Sequence, residues 1–264
     1  MRRLQYLAFV VVTKTALAQF TPAMIQNDSY WNDGKAEFSI YGAELMRDGV
    51  PRTCEVLHIA MREKSDSPSL RFNQIINVPT GLFVLQQMHS SYWAVKDGGL
   101  IKFSLTSGDS SENVFKEAVR SGAEMSYEYR GSTAAKETIA VPPNGYFYDE
   151  LPWLVRTIDF TKPNEFEIQL AGSAINSKKD NFSFQPAKVS FVPNERFIDV
   201  KVQHAADEDR FTLDRGFPHL IREWKGWDGN HLKLKRNLKV DYWNYSKPGD
   251  RERALNNPML RLPD

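Results

Sequence analysis

The residue types that most often carry chemistry are few in this sequence of 264 residues. It has one cysteine, Cys54, and its histidines are His58, His89, His204, His219 and His231. A zinc centre needs several His, Cys or carboxylate ligands that converge, and no recognised ligand spacing is present. Asp207 and Asp209 follow His204 and could bind a cation, although a solvated turn is the commoner role of such residues. The sequence therefore predicts no metal site.

Nucleophilic catalysis has one candidate centre. No G-x-S-x-G elbow occurs, and Cys54 falls within an apolar strand pattern, where a thiol is usually inert. His219, next to Phe217-Pro218, could orient a carboxylate in a hydrolase, but a histidine at the start of a strand more often bonds to the backbone. Asp97-Gly98-Gly99 suits a hairpin turn rather than a phosphate-binding loop. We therefore predict no catalytic residue and no cofactor, and keep a hydrolase centred on His219 as an alternative.

The elements that must position these residues begin with a meander of antiparallel strands over residues 188–243. Between Ile198 and His204 one parity is mainly apolar and the other polar, the pattern of a strand with one buried face. Asp228-Gly229 predicts a hairpin turn, because glycine takes positive φ without penalty. This hairpin sets Trp224 opposite Leu232 on the buried face.

Beyond that turn, the two parities separate apolar from basic residues. The apolar parity contains Leu232, Leu234, Leu238 and Val240. Arg236 also falls on it, which predicts a β-bulge or a paired arginine. A basic stripe is formed by Lys225, Lys233, Lys235 and Lys239. The stripe could meet anionic lipid headgroups or a polyanionic wall polymer, but its commoner role is a solvated face that discourages edge pairing.

Alternating segments and turn residues predict further strands between residues 36 and 170, interrupted by two short helices. The first helix covers residues 109–121, with Asp109 as cap and Gly122 at its end. The second covers residues 149–158, with Asp149 as cap and Pro152 in the first turn. The predicted fold is mainly β, a large curved antiparallel sheet or half-open barrel. We expect one domain at residues 19–243 and a loosely ordered tail at residues 244–264.

The first residues predict export. Residues 1–18 combine Arg2-Arg3, an apolar run from Leu7 to Val12 and a small-x-small site at Ala16-Leu17-Ala18, as a signal peptide does; a buried strand is the alternative. Its removal lowers the net charge from +1 to −2, because it carries three basic and no acidic side chains. Near neutrality argues against nucleic-acid binding. No other run approaches the roughly 20 apolar residues of a spanning helix. We expect a periplasmic or cell-envelope protein that does not span the membrane.

Several short motifs resemble an exported bacterial family of unknown function. They are YWNDGKAE at 30–37, EVLHI at 55–59, TG at 80–81 before QQM at 86–88, FKE at 115–117, YDELP at 148–152, GFPH at 216–219 and DYWN at 241–244. The resemblance covers nearly all of the chain after residue 18. It implies export but no established activity.

Members of that family often carry the label "septum formation inhibitor Maf". True Maf proteins are cytoplasmic nucleotide pyrophosphatases with alternating helices and strands, and their N-terminal Ser-Pro-Arg-Arg phosphate motif is absent here. A signal peptide and a β-meander also fit that enzyme badly. More distantly, the chain is similar to envelope proteins with a curved antiparallel sheet, which in some families holds lipid.

The function that the sequence indicates is a non-catalytic envelope protein that binds an apolar or lipid-like ligand in a concavity of the sheet. Aromatic residues make up 12% of the chain and supply large side chains for such a wall, although core packing is their commoner role. The candidate ligand-binding residues are Trp93, Trp153, His219, Trp224 and Trp243. The alternatives are a structural or partner-binding envelope module with a solid core, and the hydrolase centred on His219.

The signal motif predicts cleavage between Ala18 and Gln19. N-terminal sequencing of the protein purified from the envelope fraction of its own cells should begin at Gln19. An intact Met1 in that material would show that the segment is kept.

Overall fold

In the described part of the chain, one continuous sheet of fifteen strands forms most of the structure. The structure is a computed structural model, which describes residues 20–21, 28–47, 49–63, 68–108, 113–172 and 182–258. The first eight strands are β1 Ala36–Arg47, β2 Val50–Glu63, β3 Ser69–Thr80, β4 Phe83–Ala94, β5 Leu100–Gly108, β6 Asn113–Ser121, β7 Glu124–Arg130 and β8 Ala134–Ala140. The others are β9 Gly145–Phe147, β10 Glu165–Ala171, β11 Gln185–Pro193, β12 Phe197–His204, β13 Asp207–Asp214, β14 Ile221–Lys225 and β15 His231–Val240.

The helices in the described ranges are short. They are α1 Ser29–Asn32, α2 Leu151–Leu154 and α3 Asp250–Asn256. Single 3-10 turns cover Tyr148–Glu150, Val155–Thr157 and Tyr242–Asn244. None of these helices combines the length and the apolar character that crossing a membrane requires.

The strand order runs from β8 back to β1, then to β15 and down to β9. Neighbouring strands are antiparallel, except that β9 runs parallel to β10. The pairing of β1 with β15 joins the first and last strands, so the two halves of the chain form one surface. Among the described residues β8 and β9 are the two edges and do not pair with each other. The predicted curved antiparallel sheet is therefore confirmed, and it is not closed.

The concave side of the sheet is filled by the chain itself. We call residues 145–158 the interior segment; it includes β9, α2 and the 3-10 turns on either side of that helix. Its Trp153 packs edge to face on Trp31, with ring centroids 5.5 Å apart, and its Phe147 packs on Phe103 at 4.9 Å. Trp153, Leu151 and Leu154 are at most 1% exposed. The core is thus a sheet wrapped round its own segment.

The helix predicted over residues 149–158 is confirmed in part: only Leu151–Leu154 is α-helical, with Pro152 in its first turn, and 3-10 turns flank it. The expected cap, Asp149, is wrong: the amide of Phe147 donates to the Glu150 side chain at 2.9 Å, so Glu150 binds the free backbone group at the start of the segment.

The predicted helix over residues 109–121 is wrong, because residues 113–121 form strand β6. Val114 and Ala118 fit helical spacing, but together with Lys116 they also fit alternation, and all three are buried. Pairing with β5 on one side and β7 on the other supplies hydrogen bonds that a short helix would lack. Residues 109–112, including the expected cap Asp109, lie outside the described residues.

A β-bulge in β15 changes which residues face inward. Ile40 of β1 lies opposite Arg236, whereas the next residue, Tyr41, lies opposite Leu234. Lys235 is therefore the extra residue, which confirms the bulge expected beside Arg236. Because side-chain direction alternates, the extra residue reverses the two faces beyond it.

The predicted basic stripe is broken by this bulge. Leu232 is buried on the inner side before the bulge, as expected. After it, Lys239 lies opposite the buried Glu37 and is itself only 8% exposed. Lys239 is therefore an interior residue and not part of a solvated face.

The tail predicted to be loosely ordered contains helix α3. Asp250 and Ala254 of this helix are buried. The Arg251 guanidinium lies 3.5 Å from the Glu55 carboxylate on β2, so α3 is packed on the outer face of the sheet.

The final hairpin has the predicted register, with Trp224 opposite Leu232 and Gly229 at positive φ in the turn. The Trp224 ring stacks on Phe211 at 5.2 Å and is 7% exposed. We expect Trp224→Ala to lower the free energy of unfolding by about 3–5 kcal/mol, the usual cost of emptying a core aromatic site. Chemical denaturation measures this loss.

The matched control is Trp243→Ala, because Trp243 is 50% exposed. Its loss should stay below about 1 kcal/mol, as for most surface substitutions. Equal losses in the two variants would contradict the assignment of Trp224 to the core.

Candidate functional site

The structure does not bring the five candidate ligand-binding residues together. Trp153 lies in the centre of the core and is 1% exposed. Trp224 lies in the part of the core next to β13 and β14 and is 7% exposed. Trp243 is half exposed after the end of β15. Trp93 is 2% exposed and lines a cleft described below. The concavity is thus not a shared ligand wall for these residues.

His219 has the backbone-bonded position that the sequence favoured. Its Nδ1 lies 3.1 Å from the Asp214 carbonyl oxygen, and its ring packs on Phe160 at 4.9 Å. Burial lowers the pKa of His219. The Asp214 carboxylate accepts from Arg222 at 2.7 Å instead. In the part of the chain that the structure describes, the His219 ring thus lies beside a backbone carbonyl, as the sequence favoured over a catalytic role.

A buried ion pair joins the interior segment to the sheet. The Arg156 guanidinium donates to both oxygens of the Glu37 carboxylate, at 2.8 and 2.9 Å, and both side chains are at most 4% exposed. Burial opposes the charge on Arg156, but the Glu37 carboxylate outweighs it and raises the pKa of the guanidinium. A bidentate pair of this kind fixes orientation as well as distance. Arg156 therefore holds the interior segment in register with β1.

Aromatic and basic side chains complete this polar centre. The Tyr30 hydroxyl donates to Glu37 at 2.7 Å, and burial raises the pKa of that hydroxyl. The Lys239 ammonium donates to the Tyr30 carbonyl and lies 3.8 Å from the centroid of its ring. The Arg156 guanidinium lies 5.6 Å from the rings of Trp31 and Trp153. The charges are surrounded by cation–π and hydrogen-bond partners, which compensates their burial.

A second buried carboxylate, Asp209, lies on the inner face of β13. It accepts from the Tyr148 hydroxyl at 2.6 Å and from the Trp224 indole at 3.1 Å. Its other oxygen lies 2.9 Å from Nε2 of His204. Asp209 therefore joins the interior segment to β12 and β14. The sequence left open that Asp209 binds a cation. In the described ranges, however, no group of three His, Cys, Asp or Glu side chains lies close enough together to hold a metal ion.

Of the other residues considered for chemistry, His58 and His89 are enclosed by the fold, whereas His231 is partly exposed and lies 2.7 Å from the Glu223 carboxylate. Burial lowers the pKa of His58 to about 3 and that of His89 to about 4. His58 lies 3.0 Å from the Gln74 amide. Cys54 is partly buried, and burial raises the pKa of its thiol. Groups with these pKa values are poor bases and nucleophiles at neutral pH.

A cleft of about 530 Å³ lies between the β4–β5 turn, the β6–β7 turn and the interior segment. Trp93, Arg120, Tyr146 and Glu150 are among its walls. Glu150 is 1% exposed, and its Oε1 has no hydrogen-bond partner. Burial raises the pKa of this carboxyl to about 8, against the opposing effects of the Phe147 amide and Arg120.

An apolar cavity lies on the opposite, convex face of the sheet. We call it the outer slot; its volume is about 350 Å³, and it is lined by Phe38, Ile40, Leu57, Leu238, Val240 and Ala254 with neighbouring residues. Its floor is the outer face of the central strands, and α3 forms its roof. Leu238 and Val240 face outward because of the bulge at Lys235. The slot is the most apolar of the described cavities.

Sequence reasoning missed the outer slot and the polar centre. The signal for the slot is present in the second strand of the first hairpin, because both of its parities are mainly apolar between Val56 and Met61, and such strands lie centrally. Glu37 and Ser39 alternate with Ala36 and Phe38 and therefore suggest a wet face. In the structure that polar parity faces the interior, where Arg156 and Asn237 supply partners at 2.7–2.9 Å. Partners distant in sequence leave no local signal.

Comparison with known proteins shows the fold alone. No protein-family model matches the sequence, and no curated protein is similar to it. The fold is similar to that of a crystal structure of a β-barrel-like protein of domain of unknown function DUF1849 from Brucella abortus, with a TM-score of 0.51 and 12% identity. The similarity covers 77% of this chain and 97% of that protein. This similarity agrees with the prediction of a barrel-like fold.

Breaking the ion pair by Arg156→Met should destabilise the protein by about 3–5 kcal/mol, because it leaves the Glu37 carboxylate buried without its cation. The double variant Glu37→Gln/Arg156→Met should lose less than the sum of the single losses. Denaturant unfolding measures each value.

The control is Lys188→Met, which breaks the exposed 2.7 Å pair with Glu165 on neighbouring strands. Exposed pairs contribute about 0–1 kcal/mol, so this variant should be nearly as stable as the parent. If Arg156→Met lowered the free energy of unfolding as little as Lys188→Met, the position of the interior segment would not depend on the ion pair.

Proposed function

We propose that this protein is a non-catalytic protein of the cell envelope that binds an amphipathic molecule with an acyl chain in the outer slot. The observation that carries the proposal is the slot itself, an apolar cavity of about 350 Å³ between the sheet and α3. Small-molecule sites have volumes of about 300–1,000 Å³ and mainly apolar walls. The slot meets both requirements.

The rim of the slot offers polar partners for a headgroup. Glu55 and Arg251 face each other across it, with their charged atoms 3.5 Å apart, and both are more than half exposed. Asp250 accepts from the Lys247 amide at 2.6 Å and is buried. An acyl chain would lie against Phe38, Leu57 and their neighbours, while its headgroup stays at the charged rim. This arrangement favours an amphipathic ligand over a purely apolar one.

The position of the site differs from the concavity that the sequence suggested. The interior segment occupies the concave side, and Glu37 and Asp209 each have donors from the fold, which supports a non-catalytic role for the interior. The ligand is therefore proposed on the convex face. Export remains part of the proposal and is supported by the signal motif of residues 1–18.

A structural or partner-binding module is the second candidate function. The filled interior favours it, because Trp153, Leu151 and Leu154 leave a solid core on the concave side. In that case the outer slot would be an empty packing gap under α3. An apolar gap stays dry or takes an apolar guest, so ligand binding separates the two functions.

The proposal predicts that lipid co-purifies with the protein from its own envelope and that a fluorescent fatty acid binds at micromolar concentration. Leu57→Trp should weaken this binding at least tenfold, because the larger ring fills the slot. Native mass spectrometry and fluorescence titration provide the two measurements.

The matched control is Val192→Trp, on the outer face of β11 and 63% exposed. It adds the same ring away from the slot and should bind the fatty acid as the parent does. Absence of both co-purified lipid and micromolar binding would favour the structural module. Unchanged binding by Leu57→Trp would exclude the slot as the site.

A further inference from the structure

The Glu150 carboxyl contains an acceptor that the fold does not use. Its Oε2 accepts from the Phe147 amide at 2.9 Å, whereas its Oε1 has no hydrogen-bond partner in the part of the chain that the structure describes. The side chain is only 1% exposed, so bulk water does not take the place of that partner. A buried acceptor without a donor costs free energy, and a bound molecule is one explanation for it.

Other buried carboxylates show that this fold can supply donors. Both oxygens of Glu37 accept from Arg156, at 2.8 and 2.9 Å. Both oxygens of Asp209 lie within 3.1 Å of a hydroxyl, indole or imidazole group. Of the buried polar atoms without a partner in the described ranges, Oε1 of Glu150 is the one that belongs to a carboxyl group. The missing donor is therefore specific to this position.

Glu150 lies at the bottom of the cleft of about 530 Å³ between the β4–β5 turn, the β6–β7 turn and the interior segment. Small-molecule sites have volumes of about 300–1,000 Å³, so the cleft has room for a small organic molecule. Its walls include the aromatic side chains of Phe20, Trp93 and Tyr146. Phe20 packs edge to face on Tyr146, with ring centroids 5.0 Å apart. Aromatic rings attract organic cations as well as apolar groups.

Arg120 brings the opposite charge to the same cleft. Its Nε donates to the Gly122 carbonyl at 2.9 Å, and its two terminal nitrogens have no partner among the described residues. Burial raises the pKa of Glu150 to about 8, and the Phe147 amide and the charge of Arg120 oppose this rise. Arg120 is partly exposed. The cleft therefore presents a carboxyl group at its bottom and a guanidinium group nearer to solvent.

These two groups select the chemistry of a ligand. An ammonium group is the strongest donor to Oε1 of Glu150, because the hydrogen bond is then charge-assisted. A guanidinium group with free terminal nitrogens binds a carboxylate through two parallel hydrogen bonds. An α-amino acid carries both groups on one carbon atom, which leaves its side chain to contact the aromatic walls. A simple cation lacks a partner for Arg120, and a simple anion lacks one for Glu150.

We propose that this cleft binds a free α-amino acid with an apolar or aromatic side chain. The ligand ammonium donates to Oε1 of Glu150, and the ligand carboxylate accepts from Arg120. The ligand side chain packs against Phe20, Trp93 and Tyr146. The cleft shares no wall residue with the outer slot, so this second site does not depend on the proposed function.

Titration of the parent protein with small ligands tests the proposal without any substitution. Isothermal titration calorimetry with phenylalanine, leucine and methionine, each as both enantiomers, should detect binding of at least one of them. The amine and the acid that each lack one charged group of that amino acid should bind about tenfold more weakly or worse, because one charged hydrogen bond is lost. For phenylalanine these analogues are phenethylamine and 3-phenylpropanoate.

Two substitutions assign the charged contacts. Glu150→Gln keeps an acceptor for the Phe147 amide but removes the charge, and it should weaken the amino acid and the amine about tenfold or more. Arg120→Met should weaken the amino acid and the acid by a similar factor, but it should not weaken the amine, which has no carboxylate. A merely structural role of Arg120 would not distinguish these ligands.

The matched controls are Glu165→Gln and Arg210→Met, whose side chains are 57% and 63% exposed on other strands. Both should bind the amino acid as the parent does, and unfolding midpoints show whether each variant keeps the fold. All four variants should bind the fluorescent fatty acid like the parent, because the outer slot is unchanged. Loss of fatty-acid binding in the parent would contradict the proposed function and leave the amino-acid site in place.

Three results would overturn the amino-acid site. The first is that none of the three amino acids binds the parent at millimolar concentration, in which case water in the cleft is the partner of Glu150. The second is that both analogues bind as tightly as the amino acid. The third is that folded Glu150→Gln and Arg120→Met bind the amino acid as tightly as the parent.

Discussion

The bidentate pair of Arg156 with Glu37 is the interaction on which the interior depends. A sheet of fifteen strands that curves without closing has a wide apolar concavity, and water cannot remain there at low cost. The chain fills it with residues 145–158, whose short helix makes few hydrogen bonds of its own. The pair ties that segment to β1, and Asp209 ties it to β12 and β14. Polar links thus specify one position for an otherwise apolar plug.

The bulge at Lys235 connects this interior with the outer slot. One extra residue in β15 turns Lys239 inward, where it contacts Tyr30 and adds a cation beside Glu37. The same reversal turns Leu238 and Val240 outward, where they form the floor under α3. A single irregularity therefore builds a charged centre on one face and an apolar cavity on the other. This coupling explains why a strand with mixed character can be central in the sheet.

The distribution of apolar surface gives the proposed function its physical basis. The concave side is occupied by the fold, so the apolar cavity that remains open lies on the convex face, under α3. A ligand with an acyl chain matches this cavity, because apolar walls lie there beside the charged side chains of Glu55 and Arg251.

The sequence by itself determined the elements whose signals are local. Period-two alternation and Asp228-Gly229 were enough to predict the final hairpin and the pairing of Trp224 with Leu232, and Pro152 marked the helix of the interior segment. Tertiary structure decided the rest. Residues 113–121 fit both helical and strand spacing, and only the neighbouring β5 and β7 selected the strand. The inward position of Lys239 depends on a bulge, and Glu37 is buried because Arg156 is available 119 residues away. Such choices depend on hydrogen-bond and charge partners distant along the chain, which local periodicity does not report.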